Sequence, residues 1–262
     1  MAKVIDRSRT SQTDISTREK LILAGLYLSK YDSLGLKKLG FDSFVEAFNV
    51  IAYALGSKPA SIKNYRDEFD PLFPNTRKGW HKRDTRDYCL AVLEKYKGLD
   101  FESFTGLVRS FFGYDKNIDS EILPANQQDE GTSSFAQRLI TGLAAEHYFE
   151  SVQAGLSEFK GYFIENTTRF GCGYDFRLRV EPSAKDFLAV EVKGLREQTG
   201  SLTMTPKEYD VASTLRDRFF LFVVRNFRAS PSHEIFQNPL SCALQFRKIE
   251  RVIIQVSWLT TV

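Results

Sequence analysis

The sequence predicts an α/β (α+β) protein in two parts: a helical first half, followed by a mixed central sheet flanked by helices. Apolar residues recur at three- and four-residue steps in the first half, as on one face of a helix. After residue 160 they occur instead in short alternating or wholly apolar runs, as in strands. Polar sequence containing proline and glycine separates the two parts. We therefore expect domains over 1–118 and 133–262, joined by a linker over 119–132.

Helices of the first half begin at recognisable start signals. An apolar stretch over 21–31 predicts the first helix. Ser43 and Glu46 form a capping-box pattern, in which each side chain binds the other residue's free backbone N–H, and Gly56 marks the end of that helix. Three more helices are expected to begin near Pro59, Asp84 and Asp100.

The second half begins with a predicted helix over 133–150. Strands are expected over 161–166, 174–180, 187–193, 219–224 and 252–258. Thr205, Pro206 and Glu208 supply a cap hydroxyl, a first-turn proline and a third-position glutamate, which together predict one more helix between the third and fourth strands. This order of elements packs most naturally as one mixed sheet covered by helices.

The composition is that of a globular protein. Of 262 residues, 42% are hydrophobic and 26% are charged, which excludes a wholly disordered chain and a collagen-like repeat. No apolar run is long enough to cross a membrane, and the first residues lack the apolar core of a signal peptide. Cys89, Cys172 and Cys242 lie far apart, so we expect neither a disulfide framework nor a zinc site, and we expect a cytoplasmic protein.

Positive charge is concentrated in the first half. The net charge is +3, with 20 Lys and Arg against 15 Asp and Glu up to residue 118, and 16 against 18 after it. This asymmetry suggests one part that binds nucleic acid and another that binds cations. The candidate DNA contacts are basic, amide and aromatic residues: Lys58, Lys63, Asn64, Arg66, Arg77, Lys78, Trp80, Lys82, Arg83 and Arg86. The alternative is a solvated basic loop with its tryptophan packed on the domain.

Two acids and a lysine of the second half fall on one face of adjacent predicted strands. Asp175 alternates with apolar residues, and Glu191 and Lys193 share one face of the next run. An antiparallel pairing brings Asp175 beside Glu191, where the two carboxylates repel unless a cation such as Mg²⁺ neutralises them. Lys193 could then orient an attacking water, and Glu146 on the preceding helix is a candidate further ligand. The spacing alone favours a solvated strand face, but the apolar run over 187–192 makes unpaired charge costly there.

The stretch over 170–227 resembles the PD-(D/E)xK nucleases, with Asp175 as the first acid and Glu191-Val192-Lys193 as the (D/E)xK element. Within that superfamily it is similar to the NO VEIN C-terminal-like branch. The shared features occur in the expected order: GYD at 173–175, VEVKG at 190–194, LT at 202–203 and FLFVV at 220–224. One departure is Gly173, which stands where a proline usually precedes the acid.

The resemblance implies a Mg²⁺-dependent DNA endonuclease of the bacterial restriction or defence type. Asp175 and Glu191 would bind the metal with the Val192 carbonyl, Glu146 would assist, and Lys193 would act on the water. Double-stranded DNA is the implied partner, and a homodimer would match palindromic sites. A nuclease fold that binds sequence-specific or modified DNA without cutting it, and an RNA-processing nuclease, remain as alternatives.

Overall fold

The computed structural model describes residues 15–112, 131–250 and 260. Seven α-helices lie in this part of the chain: α1 (Thr17–Lys38), α2 (Phe44–Ala54), α3 (Pro59–Phe69), α4 (Asp87–Tyr96), α5 (Phe101–Ser110), α6 (Gly131–Val152) and α7 (Pro206–Leu215). Five strands follow the order of the chain: β1 (Phe163–Asn166), β2 (Phe176–Arg179), β3 (Leu188–Gly194), β4 (Phe219–Arg225) and β5 (Ser232–Gln237). The predicted α+β class is confirmed. Most of the predicted linker, and the strand predicted over 252–258, lie outside the described residues.

The helix start signals act largely as predicted. α3 begins at Pro59, and the Ser43 hydroxyl accepts the Glu46 N–H at the start of α2. The Glu46 carboxylate accepts a hydrogen bond from the Asp42 N–H instead of the Ser43 N–H, so the capping box is only half formed. At the start of α7 the box is complete, with bonds in both directions between Thr205 and Glu208.

The five strands form one mixed sheet in the order β1-β2-β3-β4-β5. β3 and β4 are parallel, and the other three neighbouring pairs are antiparallel. In the register of β2 and β3, Phe176 lies opposite Val190, which brings Asp175 to the level of Glu191. The edge strand β5 was not predicted, because its residues alternate between exposed and half-buried and it depends on pairing with the apolar strand β4.

Helices cover both faces of the sheet. Phe149 of α6 packs on Phe176 and Phe222 on one face, whereas Ala212 of α7 belongs to a smaller cluster with Ala189 on the other. The predicted strand over 174–180 would place Tyr174 on the same face as Phe176, and this is wrong.

Tyr174 belongs instead to the cluster under α7. The regular strand starts only at Phe176, after a turn in which Gly173 has a φ of +86°. That left-handed conformation breaks the alternation, and glycine adopts it without a steric penalty.

The helical half and the sheet share one continuous core. α2 packs against α6, where the rings of Tyr53 and Tyr148 meet at 5.1 Å. The buried Asn49 side chain donates hydrogen bonds to the carbonyls of Phe227 (2.8 Å) and Ala229 (3.0 Å), just after β4. In the described ranges no helix is long and apolar enough to cross a membrane.

Candidate active site

The candidate active site lies where β2 and β3 diverge. The Asp175 N–H donates to the Val190 carbonyl at 3.1 Å, and the Val192 N–H donates to Asp175 Oδ2 at 2.9 Å. The backbone of β3 therefore holds the Asp175 carboxylate in place. In a strand the N–H and C=O of one residue point to the same side, so the Val192 carbonyl faces the edge where Asp175 lies.

A buried threonine fixes the backbone that presents this acid. Thr167 is fully buried, and its N–H donates to the Asp175 carbonyl at 2.7 Å. Its hydroxyl reaches the carbonyls of Tyr174 and Asp175, each at 3.1 Å. Sequence reasoning did not single out Thr167, because a threonine after a strand carries no signal that it will meet residues eight positions later.

Glu191 is the most deeply buried acid of the site, with 3% of its surface exposed. Its Oε1 lies 2.5 Å from Lys193 Nζ, whereas its buried Oε2 has no hydrogen-bond partner in the described part of the chain. Burial raises the pKa of Glu191 to about 8, and the negative charge of Asp175 adds to the rise. Burial also raises the pKa of Asp175. The hydrogen bond from the Val192 N–H favours the charged form and lowers that pKa, but burial outweighs it.

Lys193 lies between two carboxylates. Its ammonium contacts Glu191 Oε1 and, at 2.8 Å, Oε2 of Glu208, the third residue of α7. Burial alone would lower the pKa of Lys193, but the two glutamates outweigh it and raise the pKa above its ordinary value. Sequence reasoning assigned Glu208 only to the helix cap. Its position at the start of the first helix after β3 is the signal that could have placed it near Lys193.

Glu146 approaches the site from α6. Burial raises its pKa to about 7, and the charge of Asp175 contributes to the rise. Its carboxylate accepts a long hydrogen bond of 3.5 Å from the Thr168 hydroxyl. The structure therefore brings Glu146 into the electrostatic field of Asp175, while its assignment as a metal ligand stays a prediction.

The donor set fits a hard, oxygen-preferring ion. Within the described residues, no group of three or more His, Cys, Asp or Glu side chains is placed to hold a metal. Mg²⁺ needs fewer protein ligands, because it keeps several waters and is often held by one or two carboxylates. The unpartnered buried Oε2 of Glu191 is the kind of atom that such an ion would satisfy, next to Asp175 and the Val192 carbonyl.

The residues of the candidate site lie within a segment that matches a known protein family. Residues 145–237 match the family described as Protein NO VEIN, C-terminal. This family is associated with the PD-(D/E)xK nuclease-like superfamily. No curated protein and no solved structure matches the chain significantly. The match includes all four acids of the site and all five strands, and it indicates a nuclease-like or DNA-related function.

The predicted DNA contacts divide into paired and unpaired residues. All four arginines among them bind a buried acid cluster of α3 and the turn after it, formed by Asp67, Glu68 and Asp70. Arg66 pairs with Asp67, and its side chain is only 11% exposed. Arg77 makes two hydrogen bonds of 2.9 Å to Asp70.

Glu68 holds the other two arginines of the segment. Its carboxylate lies 2.6 Å from Arg83 and 2.8 Å from Arg86, and both guanidinium groups stack near the Trp80 ring. Lys63 also reaches Asp67, at 2.8 Å, from a more exposed position. Lys58, Lys78, Lys82 and Asn64 are exposed. Of these, the three lysines form no ion pair within 15–112 and 131–250. Their contact with DNA stays a prediction.

Proposed function

We propose that this protein is a Mg²⁺-dependent DNA endonuclease that hydrolyses phosphodiester bonds. The observation that carries the proposal is the pairing of half-buried Asp175, just before β2, with buried Glu191 on β3, with one carboxylate oxygen of Glu191 unpartnered in the described residues and Lys193 beside them. Such a pair is electrostatically unfavourable without a cation. The family match over 145–237 supports the same chemistry.

Each residue of the site has a distinct part in this function. Asp175, Glu191 and the Val192 carbonyl would hold the ion, and Glu146 would assist at the side of α6. A bound Mg²⁺ neutralises phosphate charge and favours ionisation of a bound water. The ammonium of Lys193 can donate hydrogen bonds to the attacking water or to a phosphate oxygen. In the reaction, the water oxygen bonds to phosphorus and one P–O ester bond breaks. One new strand end keeps the phosphate, and the other takes a proton to become a hydroxyl.

The helical half would hold the DNA. Lys58, Lys78 and Lys82 are charged and exposed, which suits contacts with phosphates, and Asn64 lies exposed on α3, where it suits contact with a base edge. The paired arginines would act mainly by keeping this surface folded. A restriction or defence role, in a homodimer that matches palindromic sites, is the biological setting we propose.

The deciding experiment digests DNA of known sequence and defined methylation with the full chain and Mg²⁺, and then maps the ends. We expect cuts that require Mg²⁺ and that disappear with EDTA or with Asp175→Ala. DNA that is bound but left intact with both Mg²⁺ and Mn²⁺ would favour the non-cleaving alternative. Preferential cutting of RNA would favour an RNA-processing nuclease.

A further inference from the structure

Lys193 has two carboxylate partners, and only one of them belongs to the acid pair. Glu191 binds the ammonium through Oε1, and Glu208 binds it through Oε2 at 2.8 Å. Glu208 comes from α7, on a different segment of the chain, and its side chain is 14% exposed. Capping α7 does not by itself require that the Glu208 carboxylate be mostly buried and in contact with the lysine of the site.

The capping box makes the Glu208 carboxylate rigid. The Thr205 N–H donates to Glu208 Oε2 at 3.0 Å, and the Glu208 N–H donates back to the Thr205 hydroxyl at 3.2 Å. The same Oε2 therefore accepts hydrogen bonds from the cap and from Lys193. Because the cap fixes the side chain in one rotamer, it also fixes the point in space where the ammonium can rest.

α7 is itself held against the turn that leads to Asp175. A Cβ on Gly173 would lie 3.0 Å from Val211 Cγ2 and 3.1 Å from the Lys207 carbonyl, so this turn and α7 are in close contact. The helix that carries Glu208 and the segment that carries Asp175 therefore keep a fixed relation to each other.

Glu191 has a second demand on its carboxylate. Its Oε1 contacts Lys193, and its Oε2, which has no partner within the described residues, is the oxygen that we propose for the ion. A cation bound at Oε2 would offset the negative charge that Glu191 presents to Lys193. Glu208 has no such second demand, because its carboxylate contacts only Lys193 and the cap of α7 in the described part of the chain.

We propose that Glu208 is a positioning residue for the reaction: it holds the Lys193 ammonium beside the acid pair when Glu191 is engaged with the metal. The inference rests on the proposed nuclease function and adds a residue to it. Glu208 acts through Lys193 and touches neither the metal nor the DNA.

The test compares Glu208→Gln with the control Asp210→Asn, which neutralises an exposed acid two residues along α7. Glutamine can still accept the Thr205 N–H and preserve the cap, but it removes the negative charge that faces Lys193. Asp210→Asn removes an equal charge from the same helix, at a side chain that forms no ion pair within the described residues. Single-turnover cleavage by Glu208→Gln should fall roughly 10–100-fold, the usual cost of removing a supporting partner of an active-site group. Affinity for DNA in Ca²⁺ should not change, and Asp210→Asn should cut like wild type.

Two further measurements separate positioning from a structural role. In a Lys193→Ala background, Glu208→Gln should cause no additional fall in rate, because the residue acts only through the lysine. In metal-free protein labelled with ¹⁵N-lysine, Glu208→Gln should shift the Lys193 ammonium signal, and Asp210→Asn should leave it in place.

Several results would reject this role. Each of four results would reject it alone: wild-type rates for Glu208→Gln, an additive fall in the Lys193→Ala background, an unmoved ammonium signal, or an equal fall for Asp210→Asn. Absence of any cleavage by the wild-type chain would reject the proposed function together with it.

Discussion

Two groups of buried or half-buried acids in the described part of the chain have opposite electrostatic surroundings. In the acid cluster of Asp67, Glu68 and Asp70, every carboxylate meets an arginine. Burial alone would raise the pKa of Glu68, but Arg83 and Arg86 outweigh it and hold that pKa below its ordinary value. In the candidate active site, burial and mutual repulsion raise the pKa of Glu146 and Glu191.

The comparison distinguishes acids whose charge is paired within the fold from acids whose charge remains available to a ligand. In the helical half, arginines of the same chain pair with every carboxylate of the acid cluster. These carboxylates therefore have no unpaired charge with which to bind a ligand. The active-site acids share one lysine and leave Glu191 Oε2 unpartnered within the described residues. Burying a charge without full compensation is expensive, and it persists in proteins mainly where function requires it.

The largest effect is expected from removing the acid pair. Asp175→Ala or Glu191→Ala should abolish cleavage, lowering its rate by several orders of magnitude, because the metal loses a ligand. Stability without metal should be unchanged or greater, since one source of repulsion is gone. The measurements are single-turnover cleavage and urea unfolding, with the exposed Glu181→Ala as the control. Wild-type-like cutting by either variant would remove the acid pair from the mechanism.

The opposite response is expected in the helical half. Glu68→Ala should lower the free energy of unfolding by about 2–4 kcal/mol, because it leaves two arginines facing a buried position without a counter-charge. Glu94→Ala, which breaks an exposed pair with Lys97, should cost less than about 0.5 kcal/mol. Urea unfolding of both variants checks this. Equal losses of unfolding free energy in the two variants would show that burial of the acid does not determine its contribution to stability.

The two groups should also respond to pH with opposite sign. Glu146 and Glu191 bind protons more tightly in the folded state than their ordinary pKa of 4.5 allows. Their contribution is therefore present below pH 4.5 and is lost as pH rises toward 7 and 8. The slope is at most about 1.4 kcal/mol per pH unit for each proton. Asp67 and Glu68, whose pKa is lowered, contribute stability that is lost as pH falls in the acid range.

Unfolding in EDTA across this range measures the effect. Glu191→Gln should flatten the fall of stability between pH 4.5 and about 8, and Glu68→Gln should flatten the fall in acid. If Glu191→Gln keeps the wild-type slope of unfolding free energy against pH, the raised pKa of Glu191 does not cause the loss of stability.

The smallest effect concerns the unpaired lysines. Changing Lys58, Lys78 and Lys82 to glutamine should weaken binding to all DNA sequences alike. The slope of log affinity against log salt should fall by roughly one unit for each phosphate that the variant no longer binds. Lys97→Gln is the control, because Lys97 already pairs with Glu94. Binding measured at several salt concentrations decides the matter. Unchanged slopes would mean that DNA binds elsewhere.

The sequence predicted the elements well where local rules govern them. Helix starts at Pro59 and Thr205 follow from backbone hydrogen bonding within a few residues, and the periodicity of β3 follows from its burial. The closeness of Asp175 and Glu191 followed from an antiparallel pairing and the period of two.

Tertiary packing decided what the sequence could not predict. The arginines over 66–86 looked like a free basic surface, because nothing local shows that acids of α3 will be buried beneath them. The edge strand β5 depends on its neighbour, and the turn at Gly173 reverses the expected side of Tyr174. Glu208 had a complete local explanation as a cap, which concealed its contact with Lys193.

The hydrogen bonds from Asn49 to the carbonyls of Phe227 and Ala229 limit how the two halves of the chain can be recombined in evolution. Arg196, three residues after Lys193, also binds Glu46 of α2. A recombination event that kept only the sheet half would remove the protein partners of two backbone carbonyls and a guanidinium. A different domain in place of the helical half would have to supply an amide and an acid at the same positions to restore these contacts. This requirement restricts which domains can be fused to the sheet half.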